Sequence, residues 1–357
     1  MKSKRVEMQS EKIPFCKKAL FVGSFAGLVV GITSFALLFF FGQSFFATQT
    51  FLGKELRAST LGKNSFTFIN PLLGFIVPKI AGLEKYKTVQ QSVSDTITAA
   101  KNKGQLQTVT VYFRNLTDGT WFDTNQTETY SPASLLKIPT MIAYFKAAET
   151  NPGILSQKIT YTGIGNENIQ ENIISPMQMK EGETYTVEEL IERMIRYSDN
   201  NAATLLIAYM NDHVDYHILN EVYTDLGIDS VTLGNDFITA RAYSLFFRVL
   251  YNATYLNRDM SEKALRLLSE TDFTKGIRAT VPEGVLVSHK FGEFSVKDTQ
   301  GTLLKRELHD CGIVYVPNAP YLLCIMSKGN DFNALEAMMQ SVSKTVYDYV
   351  ATGSKTN

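Results

Sequence analysis

A short motif, Ser134-Leu-Leu-Lys137, places a nucleophile and a base three residues apart. Serine followed by proline is a typical helix start, so Ser131 and Pro132 predict a helix that begins at residue 132. Ser134 would then lie in the first turn, with Lys137 on the same face. An amine there could accept the proton of the serine hydroxyl if burial or a nearby cation favours its neutral form. The motif predicts acyl transfer through a covalent serine intermediate, although residues 341–344 repeat the spacing where exposed helix positions explain it better.

Two further motifs could complete such a site. Ser198-Asp199-Asn200 stands between two predicted helices, where it would also serve as an ordinary helix cap. Lys290-Phe291-Gly292 lies on a predicted strand, and a glycine in a strand often marks a place where a ligand approaches the backbone. Each motif is weak alone. In this order, however, they follow the catalytic signature Ser-x-x-Lys, Ser-Asp-Asn and Lys-Thr-Gly, with phenylalanine in place of threonine.

The chain resembles the penicillin-recognising serine hydrolases over residues 84–350, and class A β-lactamases most closely. Residues 309–315 are also similar to the inner strand of that family. The resemblance implies that Ser134 is the nucleophile, that Lys137 is its base, and that Ser198 passes the proton to the leaving nitrogen.

The resemblance also assigns the substrate contacts. Asn200 would hold the substrate amide, and Lys290 would attract the substrate carboxylate while favouring the neutral form of the base. Gly292 and Glu293 would belong to the substrate-binding strand. The backbone N–H of Glu293 and that of the nucleophile would form the oxyanion hole, where one donor is worth about 3 kcal/mol.

Two departures from the family pattern argue against efficient antibiotic hydrolysis. Phe291 removes a hydroxyl that would hold the substrate carboxylate. Class A enzymes also carry a loop glutamate, usually in Glu-x-x-x-Asn, that activates the deacylating water. The corresponding stretch, residues 233–239, contains a single acidic residue, Asp236, and turn formation is its favoured interpretation. We expect acylation to survive and deacylation to slow.

The predicted function is therefore a membrane-anchored serine hydrolase of class A β-lactamase type, acting through a Ser134 acyl-enzyme. One alternative is a D-Ala-D-Ala carboxypeptidase or transpeptidase that acts on cell-wall peptide, and another is a non-catalytic wall-binding module. The substrate, a β-lactam or a D-Ala-D-Ala peptide, is implied by the resemblance alone. No cofactor is needed and no metal is expected, because no two Cys or His pairs repeat at ligand intervals.

Composition excludes a nucleic-acid partner. The chain of 357 residues carries 35 Lys+Arg and 35 Asp+Glu, so it lacks a basic footprint. Its three cysteines cannot form a disulfide framework. Cys311 and Cys324 fall on neighbouring predicted strands, where two buried thiols are favoured over a disulfide. His309 and Asp310 are the best pair for a Ser-His-Asp triad, but no nucleophile elbow accompanies them and a structural role for His309 is favoured.

The first 47 residues predict a membrane anchor. Residues 19–47 contain no charged side chain, and about 20 apolar residues suffice to span a bilayer. The run is too long for a signal peptide and lacks a good cleavage site. Residues 1–18 hold six basic and two acidic side chains, which places this tail in the cytoplasm and the rest of the chain outside it. Residues 19–47 would contact membrane lipid.

The remaining chain divides into a linker at residues 48–82, a catalytic domain at 83–350 and a tail at 351–357. Within the linker, the apolar stretch at 66–77 either packs on the domain or lies at the membrane surface. The sequence leaves this choice, and the oligomeric state, open.

The predicted fold is of the α/β (α+β) class. Strand signals occur at both ends of the domain, at residues 108–113 and again between 285 and 326, and a helical block separates them. Thr186 and Glu189 have the form of a capping box at the start of one of these helices. The economical solution is one antiparallel sheet built from both ends and flanked by helices, with an inserted all-helical lobe and a cleft between the lobes.

Overall fold

The computed structural model describes residues 66–70, 83–104, 106–163, 173, 177–215, 217–228, 236–297, 299–301 and 303–354. All of them belong to one compact unit, residues 59–357. The predicted basic tail and membrane anchor lie outside the described residues. Among the residues that are described, no helix is both long enough and apolar enough to cross a membrane.

The described elements alternate between a sheet and the helices that cover it. The strands are β1 (Leu106–Asn115), β2 (Trp121–Thr124), β3 (Lys158–Thr160), β4 (Thr184–Thr186), β5 (Val287–Lys297), β6 (Leu303–Val314) and β7 (Tyr321–Gly329). The helices are α1 (Leu83–Lys101), α2 (Lys137–Thr150), α3 (Val187–Arg196), α4 (Asn200–His213), α5 (His217–Asp225), α6 (Ala240–Tyr251), α7 (Arg258–Ser269) and α8 (Phe332–Ser354). Short 3-10 helices occupy Ala133–Leu136, Pro152–Ser156 and Ile277–Thr280.

The main sheet has five strands in the order β2-β1-β7-β6-β5, and each neighbouring pair is antiparallel. The first two strands come from the start of the domain and the last three from its end, so the predicted sheet built from both ends is confirmed. The edge strand β5 carries Lys290 opposite Cys311 of β6. The two-stranded β3–β4 sheet lies within the helical block.

Both faces of the main sheet are covered, which explains why β7 is almost continuously buried and why β6 is buried without a break from Glu307 to Val314. On one face, α1 and α8 pack over Val111, Leu323 and Ile325. On the other, the helical block contributes a larger core around Ile142, Leu190 and further apolar side chains of α2, α3, α6 and α7. The capping box also forms as predicted, since Thr186 and Glu189 each accept the other's backbone N–H.

Cys311 and Cys324 are joined in a disulfide. They lie directly opposite each other on β6 and β7. The prediction of two free thiols is therefore wrong, and the cause is the strand register, which a spacing of 13 residues does not reveal.

Residues 66–70 pack on the domain. Of the two alternatives for the apolar stretch, packing on the domain or lying at the membrane surface, the first therefore holds for this part of it. The backbone N–H groups of Thr67, Phe68 and Ile69 all donate to the carboxylate of Glu262, at 2.8, 2.8 and 3.1 Å. The ring of Phe68 packs edge-on against Tyr315 at 5.5 Å. One glutamate on α7 thus fixes a segment that lies almost 200 residues earlier in the chain. The rest of the stretch, residues 71–77, lies outside the described residues.

Candidate active site

Ser134 lies on the 3-10 helix Ala133–Leu136, directly before α2. The predicted start of an α-helix at residue 132 is wrong, because α2 begins only at Lys137. Ala133 has a positive φ of 50°, which an α-helix does not allow and which non-glycine residues adopt only when their surroundings enforce it. Even so, the expected pair forms: Lys137 Nζ donates to Ser134 Oγ at 2.8 Å, and both side chains are buried.

Long-range contacts explain this tight turn. Ser131 does not cap a helix; its N–H donates to Glu307 Oε2 at 3.0 Å. Its carbonyl oxygen accepts from His309 Nε2 at 3.0 Å. One residue past the nucleophile, the carbonyl of Leu135 accepts from the hydroxyl of Tyr243 at 2.9 Å. The nucleophile turn, residues 131–136, is therefore held from β6 on one side and from α6 on the other.

His309 supports the turn, which agrees with the structural role predicted for it. Neighbouring residues on a strand point to opposite faces, and Asp310 accordingly pairs with His289, at 2.9 Å, rather than with His309. Neither Glu307 nor Tyr243 belongs to one of the three motifs, and neither was predicted. Glu307 is fully buried on the inner strand β6, and a buried acidic residue is almost always paired.

Ser198 and Asn200 come close to the amine of Lys137 from the turn between α3 and α4. Lys137 Nζ lies 3.0 Å from Ser198 Oγ, 2.6 Å from the Ser198 carbonyl oxygen and 2.5 Å from Asn200 Oδ1. Asp199 points the other way and caps α4, accepting the N–H groups of Asn201 and Ala202. The tripeptide therefore serves as a helix cap and also contributes two side chains to the cluster.

The backbone at Ser198 is strained, with φ at +55°. Such a conformation costs of order 1–3 kcal/mol in a non-glycine residue. It turns the Ser198 hydroxyl and carbonyl toward one amine, and only 1% of this residue is exposed. Strain kept at this position is a feature expected of a functional turn.

Lys290 reaches the same hydroxyl from β5. Its Nζ donates to Ser198 Oγ at 3.0 Å and to the carbonyl of Phe291 at 2.9 Å, and the side chain is fully buried. Ser198 Oγ thus lies between two amines, those of Lys137 and Lys290. A proton could travel from the Ser134 hydroxyl to the Lys137 amine and on to the Ser198 hydroxyl along contacts of 3.0 Å or less.

Gly292 allows β5 to touch the nucleophile turn. A Cβ at this position would lie 2.7 Å from the carbonyl oxygen of Pro132, so only glycine fits without a shift. The close approach brings the backbone of Ser134 and of Glu293 to adjacent segments, as an oxyanion hole requires. The carboxylate of Glu293 accepts the N–H of Ile173 at 3.0 Å.

The two departures from the motif pattern also have a structural account. The ring of Phe291 stacks on Phe273 with centroids 4.2 Å apart, and Lys290 Nζ lies 4.1 Å from the Phe291 centroid. An aromatic face therefore occupies the position where a hydroxyl was expected. Asp236, predicted as a turn residue, forms ion pairs with Lys305 and with Lys328, the latter at 2.8 Å.

A family model described as the beta-lactamase enzyme family matches residues 89–350. The chain belongs to this family. The matched region contains the complete Ser134, Lys137, Ser198 and Lys290 cluster, and the resemblance recognised from the three motifs is thereby confirmed.

Solved structures of beta-lactamase and penicillin-binding proteins share this fold. A structure of PBP-A covers 73% of this chain and 95% of its own, with 21% identity and a TM-score of 0.60. The beta-lactamase of Sphaerobacter thermophilus has 21% identity and a TM-score of 0.60, and the match covers 73% of this chain and 97% of that structure. A class A beta-lactamase of Bacteroides cellulosilyticus has 20% identity and a TM-score of 0.61, and the match covers 74% of this chain and 98% of that structure. No curated protein sequence matches the chain.

Proposed function

We propose that the protein is a serine acyl-transfer enzyme that opens β-lactam amides through an acyl-enzyme on Ser134. The observation that carries the proposal is the contact of Lys137 Nζ with Ser134 Oγ, at 2.8 Å, inside a buried cluster that also contains Ser198. In this mechanism Lys137 takes the hydroxyl proton of Ser134 while Ser134 Oγ attacks the carbonyl carbon of the amide. Ser198 then delivers a proton to the nitrogen that leaves.

The remaining residues of the cluster act on the substrate. Lys290 orients the Ser198 hydroxyl and attracts a negative group of the substrate, and Asn200 holds the substrate amide. The N–H groups of Ser134 and Glu293 stabilise the oxyanion of the tetrahedral intermediate, with Gly292 permitting the close approach of the strand. One PBP-A structure is described as an acyl-enzyme complex with penicillin G, which supports this chemistry for the shared fold.

Deacylation is slow in this proposal. The acid in the stretch that corresponds to the family's glutamate loop is Asp236, and its carboxylate is occupied by Lys305 and Lys328. A carboxylate held between two ammonium groups is a poor base for water. This observation favours a second candidate, a D-Ala-D-Ala carboxypeptidase or transpeptidase, in which the peptide rather than the β-lactam is the natural substrate.

The proposed location is the outer face of a membrane. Residues 19–47 would anchor the chain in the lipid, with residues 1–18 in the cytoplasm and the catalytic domain outside. The support for this is the uncharged run and its basic flank in the sequence.

Labelling with a fluorescent penicillin tests the nucleophile. We expect wild type to form a stable covalent adduct and Ser134→Ala to form none, with Ser341→Ala labelling like wild type, because Ser341 lies in the exposed copy of the spacing. Equal labelling of wild type and Ser134→Ala, or no labelling of either, would contradict the proposal and leave the non-catalytic module as the interpretation. Turnover of a chromogenic β-lactam and of a D-Ala-D-Ala peptide then ranks the two substrates.

A further inference from the structure

Two arginines face a small polar pocket on the sheet, at a distance from the Ser134 cluster. Arg114 is the last residue but one of β1 and is 8% exposed, and Arg248 lies near the end of α6. Both line a pocket with Asn115, Thr117 and Asn252. Because β7 and β6 separate β1 from β5, three strand spacings of about 4.8 Å lie between this pocket and Lys290. The pocket is therefore a separate site.

Neither guanidinium has a counterion among the described residues. Arg248 Nε is buried and has no hydrogen-bond partner there. Apart from the exposed Arg258, the other described arginines contact a carboxylate, an aromatic ring or a backbone carbonyl, as Arg196, Arg241 and Arg278 do. Residues 71–82, which follow the docked segment in the chain, contain no Asp or Glu. Among the described residues, Arg114 and Arg248 are the arginines that are not exposed and have no contact of this kind.

The two charges act on each other. Burial, and then the nearby charges of Arg114 and Arg241, lower the pKa of Arg248 from its ordinary value. Like charges in a partly buried place are unfavourable unless an anion compensates them. The lining contains no carboxylate: beside the two arginines it has the polar side chains of Asn115, Thr117 and Asn252, together with Leu116 and Gly119. The enclosed space that a water-sized sphere can reach is only about 10 Å³, so a bound anion would lie largely in the open mouth of the pocket.

We propose that this pocket binds a phosphate-type oxyanion between Arg114 and Arg248. Guanidinium groups present a planar fork of N–H donors that matches the oxygens of phosphate, and two such forks balance a dianion. Two sources share this chemistry, free phosphate and the headgroup of a phospholipid. The pocket borders the segment at 66–70, since Asn252 Oδ1 accepts from Asn70 Nδ2 at 3.1 Å. An anion here would therefore also brace the place where that segment joins the domain.

Thermal unfolding of the full chain in a neutral detergent tests the proposal, with sodium phosphate compared with sodium chloride at equal ionic strength. A ligand that binds the folded state raises the melting temperature as its concentration grows. We expect a saturable rise for wild type and for Arg258→Gln, an exposed control arginine at the start of α7. Arg114→Gln and Arg248→Gln should weaken the apparent affinity at least about tenfold, and Arg248→Lys, which keeps the charge without the fork, by less.

Glycerol 1-phosphate distinguishes the two sources. If glycerol 1-phosphate binds more tightly than inorganic phosphate, the ligand is of the headgroup kind. If it binds equally or more weakly, the ligand is free phosphate. Either result supports the site. The proposal is overturned if phosphate adds nothing beyond sodium chloride in wild type, or if all the variants respond as wild type does. A cooperative transition in each variant shows that it is folded. The result does not depend on the proposed enzymatic function, because Arg114 and Arg248 lie outside the Ser134 cluster.

Discussion

Two clusters of lysines lie at the main sheet, and their surroundings differ in kind. Lys137 and Lys290 are buried, whereas Lys305 and Lys328 are partly buried. The hydrogen bonds described for Lys137 and Lys290 go to neutral oxygens, the hydroxyls, carbonyls and amide of Ser134, Ser198, Asn200 and Phe291. Lys305 and Lys328, in contrast, pair with the carboxylates of Asp236, Glu307 and Glu128.

This difference sets what each lysine can do. Partial burial alone would lower the pKa of Lys305, but its hydrogen bonds with Asp236 and Glu307 outweigh it and raise the pKa. Burial acts in the same way on Lys328, and its carboxylate partners raise that pKa too. These two lysines are fixed as cations. Lys137 instead lies within hydrogen-bond distance of the hydroxyls of Ser134 and Ser198, which is the position that a base requires.

The largest expected effect is on the reactive lysine. Lys137→Ala should slow acylation of Ser134 by about 10²–10⁴-fold, the usual contribution of a positioned base. Lys328→Ala is the matched control: we expect it to lower the melting temperature while the folded fraction is acylated at a rate close to that of wild type. Stopped-flow labelling with a fluorescent penicillin measures both. Acylation of Lys137→Ala at the wild-type rate would exclude Lys137 as the base.

The next effect concerns Glu307, which connects the two clusters. It pairs with Lys305 at 2.5 Å and accepts the N–H of Ser131 beside the nucleophile turn. Glu307→Ala leaves the buried N–H of Ser131 without its acceptor and removes one of the two carboxylates that pair with Lys305, so we expect a loss of about 1–3 kcal/mol in unfolding free energy. The nucleophile turn should also loosen, and acylation should slow in the folded fraction.

Glu307→Gln separates these two roles, because the amide oxygen still accepts from Ser131 while the charge is gone. We expect it to recover most of the acylation rate and only part of the stability. Denaturant unfolding gives the stability, and labelling corrected for active-site content gives the rate. If Glu307→Ala acylates as wild type does once corrected, the turn does not depend on this contact.

The reactive cluster was predictable because local motifs encode it. Three short motifs name Ser134, Lys137, Ser198, Asn200 and Lys290, and the structure brings all of them together. The antiparallel sheet was predictable too, since strand signals stand at both ends of the domain. In each case the information lies within a few residues of the chain.

The supporting contacts were not predictable, because they join distant residues. Glu307 meets Ser131 across 176 positions, and Glu262 meets residues 67–69 across almost 200. The positive φ at Ala133 follows from such contacts and not from its own residue type, which disfavours it. The bond between Cys311 and Cys324 depends on strand register, which one sequence does not define.

The smallest expected effect is the pH dependence of the stability that Asp236 contributes to the structural cluster. Burial alone would raise the pKa of Asp236, but hydrogen bonds with Lys305 and Lys328 outweigh it and hold the pKa below its ordinary 3.8. A carboxyl whose pKa is lowered by folding stabilises the protein above its unfolded pKa, and this stability is lost as the pH falls through the folded value. Asp236→Asn should therefore cost about 1 kcal/mol at pH 7, as for a partly exposed pair, and the difference from wild type should shrink below about pH 4.

Urea unfolding of both proteins between pH 3 and pH 7 measures this difference. Asp331→Asn is not a suitable control, because Asp331 caps α8; Asp259→Asn, an exposed residue without an ion pair in the described structure, is better. The same variant also tests deacylation. Because its two lysine partners make Asp236 a poor base, Asp236→Asn should release a bound penicilloyl group as slowly as wild type. A markedly slower release would show that Asp236 activates the water, and the division between a reactive and a structural cluster would no longer hold.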